Sequence, residues 1–192
     1  MKYLITGIGN PGEQYAHTRH NIGYDILDAL AGASNISFMD KRYGWITEVK
    51  YKSRHFHLLK PNTYVNLSGN AVKYYLKKLK IPDENLLVVL DDIALPFGKI
   101  RMRAKGGDSG HNGLNHIIQV LGTTNFARLR FGIGSDFPRG YQVEHVLGEW
   151  SEDEKKLLPD MIGYACDAIL SFGTIGLTHT MNRFNTSRPD QS

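Results

Sequence analysis

The sequence predicts an α/β fold, a single domain over residues 1–192 with a central twisted mixed β-sheet flanked by helices. Three observations carry that prediction. Continuous apolar runs at residues 2–8 and 86–90 read as buried central strands. Segments of helical period alternate with strand-like ones, which is the pattern of a largely parallel sheet. Two strand-like segments at 45–51 and 55–60 flank Lys52-Ser53-Arg54 and read as a hairpin, so the sheet is mixed.

The elements follow in order. After the first strand, Ile22, Ile26, Leu27 and Leu30 recur at helical spacing, with Asn21 as the expected N-cap and Gly32 near the end. Ser68 is the expected cap of a helix running to Lys80 and stopping before Pro82. The run at 86–90 closes on Asp91. Residues 99–105 alternate strictly, with Lys99, Arg101, Arg103 and Lys105 on one side and Ile100, Met102 and Ala104 on the other. A glycine-rich loop at 106–113 leads to a helix over 114–121. A strand is expected at 127–133, a short one at 142–147, and a long helix over 151–172 with Pro159 near its first turns. Ligands of such sheets collect beyond the carboxyl ends of the strands. Four polar segments fall there: 10–21, 62–68, Asp91-Asp92 and 106–113.

Bulk properties narrow the class. No segment approaches the roughly 18–20 consecutive apolar residues of a membrane span, and the first residues read as a strand rather than a signal peptide. Cys166 is the lone cysteine, which excludes a disulfide framework and a thiolate metal cluster; the expected location is cytoplasmic. Residues 1–139 hold 19 Lys/Arg against 11 Asp/Glu, whereas residues 140–192 hold 4 against 8. The basic excess therefore lies on the part of the chain with the polar loops, which suits a polyanionic partner such as nucleic acid. A lysine-rich solvated surface would give the same count.

Gly7-Ile8-Gly9-Asn10-Pro11-Gly12 matches the dinucleotide fingerprint G-x-G-x-x-G. That fingerprint needs a helix opening at the glycines, so that backbone N–H groups meet the pyrophosphate. Here Pro11 removes a donor and the periodic helix waits until Ile22, so no nucleotide cofactor is expected. The expected chemistry is general-base hydrolysis instead. His20 lies in the loop after the first strand, and Asp91 ends another. A carboxylate fixes an imidazole's tautomer and stabilises its cation, while a following helix N-terminus disfavours the cation; together they leave a base poised near neutrality. No serine or cysteine presents itself as a nucleophile, which leaves water. His55 and His57 share a strand face, but no H-E-x-x-H or comparable ligand set occurs, so no metal is expected. Asn62–Asn66 and Asn112 offer amides for holding a substrate, although asparagine and glycine also favour turns.

In combination these segments resemble the bacterial peptidyl-tRNA hydrolase family over most of the chain. Gly9-Asn10-Pro11-Gly12, Tyr15 and Thr18-Arg19-His20-Asn21 look like its N-terminal signature, and residues 60–69 (KPNTYVNLSG) like its second motif. Asp91-Asp92-Ile93-Ala94-Leu95-Pro96, the 107–114 loop (GDSGHNGL) and the 128–134 strand (RLRFGIG) match the remainder in order. The resemblance implies hydrolysis of the ester between a peptide, or an N-blocked amino acid, and the terminal ribose of tRNA. It assigns His20 as general base, Asp91 as its orienting carboxylate and Asn10 as reader of the blocked amino group. Asn66 and Asn112 would hold the peptide backbone and reacting carbonyl, with Tyr15 and Tyr64 lining the site. Lys99, Arg101, Arg103, Lys105, Arg130 and Arg139 would meet tRNA phosphates. The implied partner is peptidyl-tRNA, with no membrane, metal or cofactor, and the implied state is a monomer. The chain departs from the pattern at Val65, where methionine is common, at Ala94, where an acid is common, and at Asp108-Ser109. The rival readings are a non-catalytic RNA binder, a metallohydrolase and a dehydrogenase.

Overall fold

The structure, a computed structural model, describes residues 1–186; the last six residues of the predicted domain lie outside the described residues. Seven strands form one mixed sheet: β1 (Lys2–Gly7), β2 (Met39–Lys41), β3 (Gly44–Tyr51), β4 (Arg54–Pro61), β5 (Leu86–Asp92), β6 (Ile100–Arg103) and β7 (Ala127–Gly132). Their order is β2-β3-β4-β1-β5-β7-β6. β1 is parallel to β4 and β5, and β5 is parallel to β7. The hairpin β3–β4, the short β2 and the edge strand β6 supply the antiparallel pairs.

Among the described residues there are six helices, α1 (Ile22–Ala33), α2 (Ser68–Leu79), α3 (Asn112–Leu121), α4 (Gln142–Val146), α5 (Glu152–Ile175) and α6 (Leu177–Phe184), and all but the short α4 contribute buried residues to the core. Alternation along the strands divides the core into two layers. Ile5, Leu58, Leu87, Val89, Met102 and Leu129 pack with α1, α5 and α6. Leu4, Leu59, Leu86, Val88 and Leu90 pack with α2 and α3. The central strands bury both faces, which is why residues 86–90 are apolar throughout and residues 3–8 are apolar but for Thr6.

Local chemistry sets the boundaries. Ser151 and Glu154 form a reciprocal capping box at the start of α5. Asn21 is the N-cap residue of α1 as expected, but without a side-chain capping bond, and the expected cap at Ser68 is corrected to Leu67. The Asn21 side chain bonds the backbone of Asn10 instead, and Ser68 lies inside α2 with its hydroxyl donating to the Val65 carbonyl. The alternating segment narrows to β6, because Ala104 and Lys105 have left the ladder. The expected strand at 142–147 is helix α4: Val143, Val146 and Leu147 turn one side of a helical turn toward the cavity described below, a spacing that a five-residue window hides. β2 and α6 were not foreseen. Asn185, just past α6, accepts from the Met102 N–H at 2.7 Å and donates to its carbonyl at 3.0 Å, closing the exposed edge of β6.

The fingerprint-like glycines serve packing. A Cβ on Gly7 would lie 2.2 Å from the Gly23 carbonyl oxygen of α1, and one on Gly9 would lie 2.8 Å from Asn21 Oδ1. They admit a helix backbone and an asparagine against β1, and α1 opens only at Ile22.

Candidate active site

Four loop segments converge beyond the carboxyl ends of β1 and β5. They bound a cleft of about 300 Å³ lined by Asn10, His20, Val65, Asp91, His111, Asn112 and Arg130, with α4 supplying an apolar wall. His20 sits in a short 3-10 turn (Arg19–Asn21) leading into α1. Asp91, at the end of β5, is 5% exposed. His20 Nδ1 lies 2.8 Å from Asp91 Oδ2, and His111 Nε2 lies 2.8 Å from Asp91 Oδ1.

The hydrogen-bond network assigns both tautomers. His111 Nδ1 accepts from the N–H groups of Gly113 and Leu114, at 3.2 and 3.4 Å, and so caps α3. A nitrogen that accepts carries no proton, so His111 is the Nε2–H tautomer and donates to Asp91. His20 donates its Nδ1–H to the other carboxylate oxygen, which leaves Nε2 as its basic atom. Burial works against the His20 cation, but the charge and hydrogen bond of Asp91 outweigh it, and its pKa is raised above the ordinary imidazole value. Burial works to raise the Asp91 pKa, yet His111 and His20 together hold it well below the usual carboxylate range.

Asn10 is fixed from three directions. Asn21 Oδ1 accepts its backbone N–H at 2.9 Å, Asn21 Nδ2 donates to its carbonyl at 2.9 Å, and the Val65 N–H donates to its Oδ1 at 2.8 Å. Its Nδ2 amino group is therefore the end available to a substrate. The 106–113 loop is held from β7. Arg128, fully buried, donates to the carbonyls of Gly106, Gly107, Thr124 and Phe126. Arg130 reaches Ser109 Oγ at 2.8 Å, the Gly107 carbonyl at 3.3 Å and Asp92 Oδ2 at 3.6 Å. Asp108 accepts from the Gly110 N–H at 2.7 Å and from Asn115 Nδ2 at 2.6 Å, so the unusual Asp108-Ser109 pair braces the loop internally. Val65 lines the cleft and packs against Gly113, whereas Ala94 is exposed and lies outside the lining.

The other expected site residues are placed less centrally. Tyr15 and Tyr64 meet edge to face, with ring centroids 6.5 Å apart, but neither lines the cleft. Asn66 is exposed on the turn before α2 and also lies outside the lining. Arg101 stands opposite Arg130 across β6 and β7. Lys99, Arg103 and Lys105 are exposed, as is Arg139 on the β7–α4 connection. Sequence reasoning gave no role to His111, Arg128 or α4. The signal for His111 was its place immediately before a helix start; Arg128 lay unnoticed inside an apparent strand pattern.

Among the described residues, His20, Asp91 and His111 are also the one group whose candidate metal-ligand atoms all lie within 4.8 Å of one another. Those atoms already bond each other, and the His111 Nε2 carries a proton because its Nδ1 caps α3. The donor set fits a hydrogen-bonded triad better than a metal centre.

Fold and site together define the class, a protein of α/β fold with a His–Asp site suited to general-base hydrolysis. Comparison with known proteins narrows it. The family model described as peptidyl-tRNA hydrolase matches residues 4–192. Curated relatives named peptidyl-tRNA hydrolase include one from Phocaeicola vulgatus, 56% identical over 96% of this chain and 99% of the relative. Another, from Cytophaga hutchinsonii, is 52% identical over 98% of this chain and 100% of the relative. A crystal structure of peptidyl-tRNA hydrolase from Acinetobacter baumannii superposes with a TM-score of 0.90 at 33% identity, covering 97% of this chain and 96% of that one. The chain belongs to the peptidyl-tRNA hydrolase family, and it is an ester-bond hydrolase acting on peptidyl-tRNA.

Proposed function

We propose that this hydrolysis runs through His20 as general base, without a metal, and that it returns tRNA from stalled or aborted translation. Nε2 of His20 takes a proton from a water as that water's oxygen adds to the ester carbonyl. The resulting imidazolium is stabilised by Asp91 and returns the proton to the departing ribose oxygen as the C–O bond breaks, giving tRNA and free peptide. The observation that carries this reading is the 2.8 Å bond from His20 Nδ1 to a carboxylate that His111 holds from its other side.

The locked amide of Asn10 supports its part in selecting substrate. The Val65 N–H on Oδ1 fixes the orientation of the amide, so that its Nδ2 donors are the groups free to meet a substrate. A donor suits the carbonyl oxygen of an acylated nitrogen and disfavours a free α-ammonium, which brings only N–H groups of its own. Asn112 opens α3 beside the cleft, where its amide and the positive end of the helix suit a developing oxyanion. Tyr15 and Tyr64, which meet edge to face, and the exposed Asn66, which follows the cleft-lining Val65, fit contact with the peptide or the terminal nucleotide. Lys99, Arg101, Arg103, Lys105 and Arg139 fit contact with tRNA phosphates. Arg130, braced by the loop and Asp92, fits the inner end of that surface. We read the protein as a monomer acting in the cytoplasm; separately, no described helix is long and apolar enough to cross a membrane.

The test is turnover of N-blocked aminoacyl-tRNA by wild type and by His20→Ala, each with and without chelator. A fall of about 10²–10⁴-fold is expected for the variant, with no effect of chelator on wild type. Equal rates for the two proteins would remove His20 from the mechanism, and a chelator-induced fall restored by zinc would establish a metal.

A further inference from the structure

The sequence is basic in its first two thirds and acidic in its last third, and the fold turns this into two sides of a slab. Helices α2 and α3, on one face of the sheet, contain no Asp or Glu, and α2 presents Lys73, Lys77 and Lys78 to solvent. On the opposite face α5 carries Glu152, Asp153, Glu154, Asp160 and Asp167. The lysines there are neutralised locally: Lys155 pairs with Glu152 at 3.0 Å and Lys156 with Asp153 at 3.6 Å. Among the described residues, Lys73, Lys77 and Lys78 have no carboxylate partner within ion-pair distance, and neither does Arg42 in the turn between β2 and β3.

That arginine is held in place rather than waving in solvent. Its guanidinium carbon lies 5.0 Å from the Tyr43 ring centroid and 5.4 Å from that of Tyr74, and those two rings are 5.2 Å apart. The Tyr75 hydroxyl donates to the Arg42 carbonyl at 2.7 Å, and Lys78 Nζ stands 5.5 Å from the Tyr74 ring. Asp40, on β2, is exposed and in no ion pair among the described residues. On α2, Asn70, Lys73 and Lys77 follow one another at spacings of three and four residues, so they form a single row along the helix surface. At 1.5 Å rise per residue the row runs about 10 Å along a helix that follows the turn of Val65, a residue lining the cleft.

We propose that this α2 ridge, Lys73, Lys77 and Lys78 with Arg42, is a second docking surface for the RNA substrate, separate from the β6 basic strand. It takes the phosphate backbone of a double-helical part of the tRNA while the acylated end occupies the cleft. The proposal rests on the peptidyl-tRNA reading of that cleft. A group of cations without carboxylate partners among the described residues, two of them (Arg42 and Lys78) set against aromatic faces, recognises a backbone of repeating charge and carries no base specificity. The acidic α5 face repels the same polyanion and fixes which side of the slab it meets.

The experiment compares wild type, the Lys73→Gln/Lys77→Gln/Lys78→Gln variant and a Lys155→Gln/Lys156→Gln control from the opposite face. Each is given N-blocked aminoacyl-tRNA and a minimal N-blocked aminoacyl ester of adenosine, across a series of salt concentrations. The α2 variant is expected to raise KM for the tRNA substrate fivefold or more at low salt. Its plot of log kcat/KM against log salt should flatten by about 0.9 for each phosphate that the protein no longer neutralises. Its rate on the minimal ester should match wild type, which also reports that it is folded. An unchanged tRNA KM and salt slope in the α2 variant would overturn the proposal, as would an equal rise of KM in the α5 control. Failure of wild type to cleave either substrate would instead overturn the reading of the cleft.

Discussion

Replacing Asp91 with asparagine keeps the shape of the site and changes one thing, the number of acceptors between two imidazoles. The carboxylate offers an oxygen to each ring at 2.8 Å; the amide offers one oxygen and one NH2. His111 cannot give way, because its Nδ1 must keep accepting from Gly113 and Leu114, so it keeps its Nε2–H and takes the oxygen. His20 then faces the amide NH2 and relaxes by moving its own proton to Nε2, the atom that has to act as base. Returning to the productive tautomer sets two buried donors against each other, at about 1–3 kcal/mol each. The total is about 2–6 kcal/mol, or a rate reduction between about 30-fold and about 2 × 10⁴-fold. The pH–rate profile adds a signed test. In wild type Asp91 raises the His20 pKa, so activity is lost as pH falls through a value above that of ordinary imidazole. In Asp91→Asn burial acts without the carboxylate, and the acid limb moves to lower pH. Steady-state kinetics on N-blocked aminoacyl-tRNA between about pH 5 and 8.5 measure both quantities. A variant within threefold of wild type, or an acid limb that stays in place, would refute the tautomer assignment.

Two further perturbations probe the supports of this arrangement. His111→Leu removes the second donor to Asp91 and the cap of α3. The carboxylate then leans on His20 alone, so the acid limb should move to higher pH while kcat falls tenfold or more; a limb that moves down would show that His111 has no hold on Asp91. Gly7→Ala forces a Cβ to 2.2 Å from the Gly23 carbonyl oxygen, an overpacking costing about 1–3 kcal/mol. Thermal unfolding should shift down by roughly 2–12 °C, and an unchanged Tm would mean that α1 is free to retreat from β1.

The sequence by itself determined the elements whose periodicity is strong. Buried central strands declare themselves as apolar runs, α1 by the spacing of Ile22, Ile26, Leu27 and Leu30, and the hairpin by two strand-like segments around a polar turn. It also placed Asp91 at the end of one strand and Asn10 and His20 in the loop that follows another, on the side where an α/β sheet gathers its ligands. What only the tertiary structure decided was partnership. Asn21 and Ser68 have the chemistry of caps, but other neighbours took their side chains, because a side-chain amide satisfies a buried backbone group 11 residues away as readily as a local one. Residues 142–147 carry too short a pattern to separate strand from helix, and the cavity they wall decided for helix. His111 acquired its meaning when α3 fixed its tautomer and β5 brought a carboxylate to its other nitrogen. Periodicity is a property of neighbours in the chain and can be read there; hydrogen-bond partners are chosen among atoms that only the folded sheet brings within hydrogen-bonding reach.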